Sequence, residues 1–353
     1  MKGIENTIVV LLTICLLAVV PMSRCIGEKE EAAQKQIGLV LGIGGLNDLS
    51  FNDNSYRGAK DAERDFGVKV RYVEPMSIAD FETHLASFAQ SRECALIVCV
   101  GFDQINALNT VAPQFQDQPF CIIDAIVEHE NIASCIFNDW EEAFLCGVVA
   151  GKMTKTDKVG IVGGVDNIII RRFVAGFTQG ALWANSKMTE KDVLVRFVGS
   201  WDDPTTGKML AEVLYQSGAD IIYGAAGKSH LGVFEAAEGN PNWWTMGTDV
   251  DQSLTCPEHA DVIIASGLKR VDLAVYNEIK NVVEGTFEGG VVKFYGMGPD
   301  SIGVGTGIAL GKTDISDYLI ASHSEVDIPE EVIKAVEEAI NGIRDGSIII
   351  ERP

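Results

Sequence analysis

One hydrophobic pattern recurs along the chain from residue 37 to residue 266. A short apolar run is followed by a turn and then by an amphipathic segment, in which apolar residues such as Phe81, Leu85 and Phe88 recur at helical spacing. Short apolar runs indicate buried strands, and helical spacing indicates helices with one buried face. The alternation of strand and helix predicts parallel sheets whose crossover connections are helices.

The pattern predicts the following elements. Strands are expected over residues 37–41, 68–73, 95–100, 120–123, 132–137, 158–163, 193–198, 221–223, 243–246 and 262–266. Helices are expected over residues 56–64, 78–90, 104–112, 141–153, 168–183, 206–217, 232–237, 271–284 and 329–345. The rhythm restarts near residue 158, so the two halves predict two similar lobes. Residues 291–305 are expected to be strand material that crosses between them.

The predicted fold class is therefore α/β, with two Rossmann-like lobes joined by a multi-strand hinge. The N-terminal lobe is assigned residues 37–138 plus 268–296, and the C-terminal lobe residues 139–267 plus 297–353. Several crossings between two lobes make a hinge, and the cleft beside a hinge is a natural site for a small molecule.

The turn at residues 42–54 is the first candidate site. It follows the first predicted strand, at the sheet edge where open α/β folds bind ligands. It offers the ring of Phe51, the amide of Asn52 and the carboxylate of Asp48, which together suit a flat, hydrogen-bonding ligand. The alternative is a surface turn whose Phe51 fills the core. Asp124, which ends another predicted strand, falls at the same edge.

Composition and charge limit the class of protein. The chain has 353 residues, of which 47% are apolar and 22% charged, as expected for a globular protein with two domains. Its formal net charge is −22, and no cluster of Lys and Arg occurs, so nucleic acid is not an expected partner.

The N-terminus predicts export. Residues 1–24 form a signal peptide or anchor, with Lys2 before an apolar run over residues 7–20, and residues 25–36 form a polar tether. Cys25 is the candidate for lipid attachment, although Arg24 stands where the corresponding cleavage site prefers a small residue. An uncleaved helix is the alternative. The chain is expected on the outer face of the cell membrane.

The eight cysteines do not form a recognisable metal or redox motif. No C-x-x-C pair occurs, so a zinc ribbon or a thioredoxin-like site is not expected. Four cysteines lie in or beside predicted strands, where thiols act as small hydrophobic groups: Cys94, Cys99, Cys121 and Cys135. Which cysteines would pair in a disulfide is left open.

Several chemistries are excluded by spacing. A G-x-G-x-x-G dinucleotide motif fails because Asn47 replaces its last glycine, and the phosphate-loop and EF-hand spacings are absent. No nucleophile motif occurs. We therefore predict no metal, no cofactor and no catalytic residue. Asp249 and Asp251 leave two roles open, as acid–base groups or as acceptors for sugar hydroxyls. His230 is the one histidine near a predicted site.

Five landmarks then resemble one protein family in order and spacing between residues 37 and 305. The sequences are GGLNDLSFN at 44–52, IIDA at 122–125, FVAGFTQG at 173–180, GTDVDQ at 247–252 and GLKR at 267–270. They resemble the G-G-x-x-D-x-S-F-N, I-D-A, F-x-A-G-F-x-x-G, G-x-D-x-D-Q and K-R motifs of the basic membrane protein family of substrate-binding lipoproteins, which are purine nucleoside receptor A-like.

The resemblance implies a type I periplasmic-binding fold that delivers a nucleoside, with purine preferred, to the permease and ATPase of an ABC importer. Phe51 and Phe173 would stack on the base, which suits a flat apolar ring. Asn52 and Asp124 would meet the base edge. Asp249 would accept hydrogen bonds from ribose hydroxyls, and Lys269 would donate to the same sugar.

The resemblance further implies a monomer without enzymatic activity. Whether Phe173 or Phe177 faces the cleft is open.

The sequence departs from the family at three places. Gly42 stands where an acidic residue is frequent, Asp53 stands where Gln is usual, and a glycine-rich loop contains Lys228 and His230. These changes leave purine preference less firmly implied than the fold. Two alternatives remain: a membrane-anchored sensor or adhesin with a sugar-like or other small ligand, and an enzyme that acts on nucleosides with Asp249 or Asp251 as its base.

Overall fold

A computed structural model describes residues 34–353. The predicted signal peptide, Cys25 and all but the last residues of the predicted tether lie outside the described residues. No helix in the described part of the chain has the length and apolar character needed to cross a membrane.

Helices and strands alternate along the described chain, as the hydrophobic pattern predicts. The strands are β1 (Gln36–Val40), β2 (Lys69–Val73), β3 (Cys94–Val100), β4 (Phe120–Ile123), β5 (Ile132–Phe137), β6 (Val159–Gly163), β7 (Val193–Phe197), β8 (Ile221–Ala225), β9 (Trp244–Gly247), β10 (Ile263–Lys269), β11 (Val291–Tyr295), β12 (Thr306–Ala309) and β13 (Leu319–Ile320). The helices are α1 (Phe51–Phe66), α2 (Asp80–Ser91), α3 (Ile105–Val111), α4 (Asp139–Met153), α5 (Ile168–Ala184), α6 (Pro204–Gln216), α7 (Leu231–Ala237), α8 (Gln252–Thr255), α9 (Val271–Glu284) and α10 (Glu330–Asp345).

The strands form two sheets, one in each lobe. The N-terminal sheet has the order β11-β5-β4-β3-β1-β2 and the C-terminal sheet the order β13-β12-β10-β9-β8-β6-β7. All neighbouring pairs are parallel except β10 and β12. In parallel sheets all carboxyl ends meet at one edge, so the turns after the strands of each lobe are brought together.

Both faces of each sheet are covered. In β1, Ile37 and Leu39 pack with α1 and α9, whereas Val40 packs on the other face with Phe81 and Leu85 of α2. Strands buried on both faces read as continuous apolar runs, which is why they were visible in the sequence. The fold is α/β with two Rossmann-like lobes, as predicted.

The lobes are joined at three crossings, which lie at Asn138, at Arg270 and over residues 296–305. Glu141, in the first turn of α4, ties two of these crossings together. Its carboxylate accepts hydrogen bonds from Asn138 Nδ2 at 2.8 Å, Met297 N at 2.5 Å and Thr306 Oγ1 at 2.8 Å. Buried hydrogen bonds to Glu141 therefore connect the crossing segments at the hinge.

Two predicted boundaries are wrong in ways that matter for the site. Helix α1 begins at Phe51, not at residue 56, so Phe51 and Asn52 occupy its first turn rather than a loop. Strand β10 continues to Lys269, three residues beyond the predicted end, so residues 268 and 269 belong to the C-terminal sheet and not to the N-terminal lobe assigned from the sequence. Both differences place predicted ligand residues on regular elements, which hold side chains more rigidly than turns do.

Candidate ligand-binding site

A cavity lies between the two lobes, at the carboxyl ends of their strands. The empty space within it is about 740 Å³, a figure that includes open solvent. All seven residues predicted from the sequence line it: Asp48, Phe51, Asn52, Asp124, Phe173, Asp249 and Lys269. The N-terminal lobe supplies the first four and the C-terminal lobe the other three.

Asp48 holds the start of α1. Its carboxylate accepts from the backbone N–H groups of Ser50 at 2.9 Å, Asn52 at 2.7 Å and Asp53 at 3.1 Å. These are unpaired donors of a helix N-terminus, which a short acidic side chain satisfies well. Burial raises the pKa of Asp48 to about 7, and the three backbone donors oppose that rise. Its position supports a structural role at the cavity wall.

The first turn of α1 presents an aromatic face and an amide. Phe51 is half-buried and lines the cavity. Asn52 Oδ1 accepts from Gly42 N at 2.8 Å, which leaves the amide nitrogen as the free donor of that side chain. A side chain at position 42 would be crowded, since a Cβ there would lie 3.1 Å from Val100 O and 3.3 Å from Asn52 Oδ1. Gly42 therefore fits tightly against its neighbours.

Lys269 is the central charge of the site. Its side chain is 2% exposed, and Nζ lies 2.6 Å from Asp124 Oδ2 and 2.8 Å from Asp139 Oδ1. Burial lowers the pKa of Lys269, but the two carboxylates outweigh it and hold the pKa above its usual range. A lysine has three N–H donors. One is donated to Asp124 Oδ2, and the contact with Asp139 is an ion pair, so the ammonium group keeps donor capacity for a ligand.

Aromatic rings surround the same ammonium group. Lys269 Nζ lies 5.3 Å from the ring centre of Phe51, 5.4 Å from Phe137 and 5.7 Å from Phe173. Such distances are within the range of cation–π attraction. Phe51 and Phe173 come from opposite lobes, so the cleft has one aromatic ring on each wall.

Two aspartates at strand ends offer acceptors to the cavity. Asp124 follows β4 with φ of 65°, and Asp249 follows β9 with φ of 70°. This left-handed conformation is uncommon for residues other than glycine and clusters at functional sites. Asp124 Oδ1 is buried and has no hydrogen-bond partner among residues 34–353.

The Asp249 carboxylate bridges the lobes. Oδ2 accepts a hydrogen bond from the Ser50 hydroxyl of the N-terminal lobe, and its backbone carbonyl accepts from Lys269 N at 3.0 Å. Burial raises the pKa of Asp249, whereas Lys269 and Ser50 lower it. Ser50 is its one side-chain donor within the described chain, so the carboxylate keeps accepting capacity toward the cavity.

The structure separates two phenylalanines that the sequence could not distinguish. Phe173 lines the cavity, whereas Phe177, one turn later on α5, is fully buried and packs on Tyr223 with ring centres 5.5 Å apart. Helical spacing places Phe173 and Phe177 on one face of α5. Which of the two rings reaches the cavity depends on how the helix packs on the core, and spacing alone does not show this.

The glycine-rich loop that departs from the family pattern contributes one residue to the cavity and buries another. His230 is fully buried, with Nε2 2.7 Å from Gln252 Nε2, and it does not line the cavity. Burial lowers the pKa of His230 to about 3, so the ring is neutral. Lys228 does line the cavity, but Nζ lies 3.1 Å from Asp202 Oδ1. The positive charge of Lys228 is therefore paired with the Asp202 carboxylate.

Two residues of the cavity lining were not predicted. Trp201, after β7, and Asp103, after β3, lie on opposite lobes and line the cavity. Burial raises the pKa of Asp103, and a hydrogen bond with the Trp201 side chain opposes the rise. The sequence predicted a turn at Trp201. It could not predict the contact between Trp201 and Asp103, because the two residues are far apart in the chain and lie on different lobes.

A third missed residue lies behind the cavity. Asp139 is fully buried at the start of α4 and holds Lys269. Burial raises the pKa of Asp139 to about 6, against the attraction of Lys269. The sequence carried no signal for this contact, because α4 and β10 are distant in sequence and meet only in the folded lobe.

The other proposed acid, Asp251, points elsewhere. Its carboxylate accepts from Ser253 N at 3.2 Å and His323 N at 2.9 Å, and it is absent from the cavity lining. No group of three or more His, Cys, Asp or Glu residues suited to a metal ion is found within residues 34–353. The arrangement instead suits a flat ligand that carries hydroxyl donors.

Comparison with known proteins gives a consistent family. Residues 35–337 match the family described as "ABC transporter substrate-binding protein PnrA-like". A lipoprotein of Pyrococcus abyssi is 35% identical over 340 residues, which cover 92% of this chain and 82% of the relative. The ABC transporter nucleoside-binding protein BmpA of Lactococcus lactis is 29% identical over 314 residues, 81% of this chain and 88% of the relative.

Solved structures agree with that comparison. An ABC transporter solute-binding protein from Aeropyrum pernix K1 superposes with a TM-score of 0.78 and 32% identity, covering 90% of this chain and 94% of the other. A solute-binding protein from Conexibacter woesei, at 19% identity and a TM-score of 0.69, covers 90% and 99% and shows the shared fold.

Proposed function

The chain belongs to the PnrA-like family of ABC transporter substrate-binding proteins, and we propose that it binds a nucleoside, preferably a purine nucleoside, between its two lobes. Proteins of this family bind small ligands for ABC transporters and are not enzymes. One arrangement carries the proposal: Phe51 and Phe173 face one cavity from opposite lobes, and the Asp249 carboxylate lies at the same cavity.

Each part of a nucleoside has a matching group. The two rings would stack on the base, and each aromatic contact adds about 1 kcal/mol beyond the area it buries. The free Asn52 amide nitrogen and the unpartnered Asp124 Oδ1 form one donor and one acceptor for the base edge. Asp249 would accept from the ribose hydroxyls, and a remaining N–H of Lys269 would donate to the same sugar.

The site selects for the sugar as well as the base. A carboxylate that accepts from two hydroxyls is left with a buried, unpaired oxygen when either hydroxyl is missing. A free base would leave Asp249 unsatisfied, and free ribose would leave both aromatic walls empty. The intact nucleoside is therefore the best fit to the lining.

The rest of the assignment follows from the family. We place the protein outside the cell, held at the outer face of the membrane through its N-terminal segment with Cys25 as the lipid attachment site, as its lipoprotein relatives suggest. It would act as a monomer and deliver the ligand to the permease and ATPase of an ABC importer.

Thermal melting against a ligand panel tests the proposal. The panel contains inosine, guanosine, adenosine, free purine bases, ribose and NAD. A ligand at about 100 times its dissociation constant stabilises the folded protein by roughly 2.7 kcal/mol, which gives a clear shift. The proposal requires a shift with at least one purine nucleoside and none with ribose or NAD.

Other outcomes would redirect the assignment. A shift with sugars alone would overturn the nucleoside proposal and keep the fold. The absence of any shift would favour a sensor or adhesin. Conversion of a bound nucleoside by the purified protein would contradict its role as a binding protein.

A further inference from the structure

Glu142 is a buried acid that neither the fold nor the proposed ligand contacts account for. It lies on α4 with no solvent exposure, and neither carboxyl oxygen has a hydrogen-bond partner among residues 34–353. It lies behind the cavity rather than in its lining. Burying a carboxyl without a partner is costly, and burying it in ionised form is far more so. A group kept at that cost calls for an explanation.

The Glu142 carboxyl is one step removed from the cavity wall. It sits over β10 where residue 267 is glycine: a Cβ on Gly267 would lie 3.0 Å from Glu142 Oε2 and 3.0 Å from Tyr223 Oη. Tyr223 Oη in turn donates to Thr248 Oγ1 at 3.0 Å. Thr248 lines the cavity next to Asp249. The Glu142 carboxyl and the Tyr223 hydroxyl therefore both lie against residue 267, and Tyr223 extends from there to the cavity wall.

Several elements place titratable or charged groups near this carboxyl. The groups are Asp139 and Cys146 on α4, Tyr223 on β8, Lys269 on β10, Asp249 after β9 and Asp124 after β4. Four carboxyl groups therefore surround one buried lysine, and Arg172 lies 3.7 Å from one of them, Asp139.

The acids of this cluster cannot all be ionised, because like charges at close range disfavour each other. Lys269 is in contact with Asp124 and Asp139, and Asp249 has the Ser50 hydroxyl, whereas Glu142 has neither a cation nor a donor. Burial raises the pKa of Glu142 well above its usual range, and the charge of Asp249 raises it further. Glu142 is the member that keeps its proton.

We propose that Glu142 is a positioning residue, which by holding a proton behind the cavity leaves Asp249 as the ionised acceptor and makes nucleoside affinity fall at alkaline pH. The inference rests on the proposed function for its ligand. Once Glu142 ionises, its charge faces Asp249 without a compensating cation. Repulsion between the two ionised carboxylates then moves Asp249 away from the ligand hydroxyls, which lose an acceptor.

Calorimetric binding of adenosine to the full chain tests this coupling, because adenosine has no proton that dissociates in the range used. The variant Glu142→Gln keeps the shape of the neutral acid, and Glu82→Gln, on an exposed face of α2, is the matched control. Between about pH 6 and pH 10 the wild type and the control should lose about tenfold or more in affinity, and Glu142→Gln less than about threefold. Equal pH dependence in all three proteins would overturn the inference.

Melting without ligand tests the proton separately. Because the pKa of Glu142 is higher in the folded state than in the unfolded state, its stabilising contribution is complete at low pH and is lost as the pH rises through the folded value. Glu142→Gln has no proton to lose. Its melting temperature should therefore exceed that of the wild type by a margin that grows with pH, whereas Glu82→Gln should follow the wild type.

The two measurements separate the two proposals. A constant margin between Glu142→Gln and the wild type would overturn the proton-holding role, whether or not a nucleoside binds. A margin that grows with pH, together with no adenosine binding at any pH, would support the proton-holding role and count against the proposed ligand.

Discussion

The loops before α1 and α8 place similar aspartates at the same cavity and use them differently. Asp48 and Asp249 each follow a strand, are buried, and lie in the cavity lining. Three backbone N–H groups saturate Asp48, whereas Asp249 receives one hydroxyl from the opposite lobe. In the C-terminal loop a separate residue, Asp251, caps the helix.

The difference between Asp48 and Asp249 shows when an acidic side chain remains available to bind a ligand. An aspartate that pairs with helix N-terminal donors stabilises the fold and has little capacity left for an incoming group. When a second aspartate performs the capping, the first keeps its lone pairs for the cavity. On this basis Asp249 should govern affinity and Asp48 should govern stability.

Removing the cation shared by the two lobes should have the largest effect. In Lys269→Met, the Asp124 and Asp139 carboxylates lose their buried counter-charge, and breaking such a pair costs about 3–5 kcal/mol. Urea unfolding should show that loss of stability. Lys280→Met is the control, because Lys280 forms an exposed pair with Glu284. Equal stability of the two variants would mean that Lys269 does not stabilise the buried Asp124 and Asp139 carboxylates.

Asp249→Asn should have the next largest effect, and on binding rather than on folding. Losing a charged acceptor for ligand hydroxyls should weaken nucleoside binding by about 2–3 kcal/mol, on the order of a hundredfold. Stability should change little, because burial already disfavours the charged form. Calorimetry with inosine measures the affinity, and Asp251→Asn is the control that should retain it. Retained affinity in Asp249→Asn would mean that Asp249 does not bind the ligand, and that the two aspartates do not differ in this role.

Asp48→Ala should show the reverse pattern. Loss of the cap should destabilise the protein by about 1 kcal/mol, within the usual range for N-terminal caps. Affinity should fall by much less than in Asp249→Asn, because the effect passes through the position of α1. Thermal unfolding and calorimetry on the same preparation check both quantities. A larger affinity loss than in Asp249→Asn would show that Asp48 contacts the ligand.

Single replacements of the aromatic walls should have the smallest effects. Phe51→Leu and Phe173→Leu should each weaken binding by about 0.5–1.5 kcal/mol, the usual contribution of an aromatic contact. Phe177→Leu is the control, since that ring is buried against Tyr223: it should lower stability and leave affinity unchanged. If Phe177→Leu weakened binding as much as Phe173→Leu, the two rings would not have separate roles.

The sequence predicted the fold well because strands buried on both faces leave an unmistakable apolar run. It missed the start of α1, because the capping by Asp48 turns four polar residues, 52–55, into helix. It placed Asp48, Phe51, Asn52 and Asp124 at one sheet edge, because parallel strands bring their carboxyl ends together, whereas Phe173, Asp249 and Lys269 came from the resemblance to the family. It could not predict Asp139 or Glu142, whose neighbours on β8 and β10 are distant in sequence, nor the Trp201–Asp103 contact, which forms only when one lobe is set against the other.

A crystal structure of the protein grown with inosine is the most direct test of the nucleoside site. The account predicts the base between Phe51 and Phe173, the ribose hydroxyls on the Asp249 carboxylate, and Lys269 still bound to Asp124 and Asp139. An empty cavity at saturating inosine, or a nucleoside bound with its sugar away from Asp249, would contradict it.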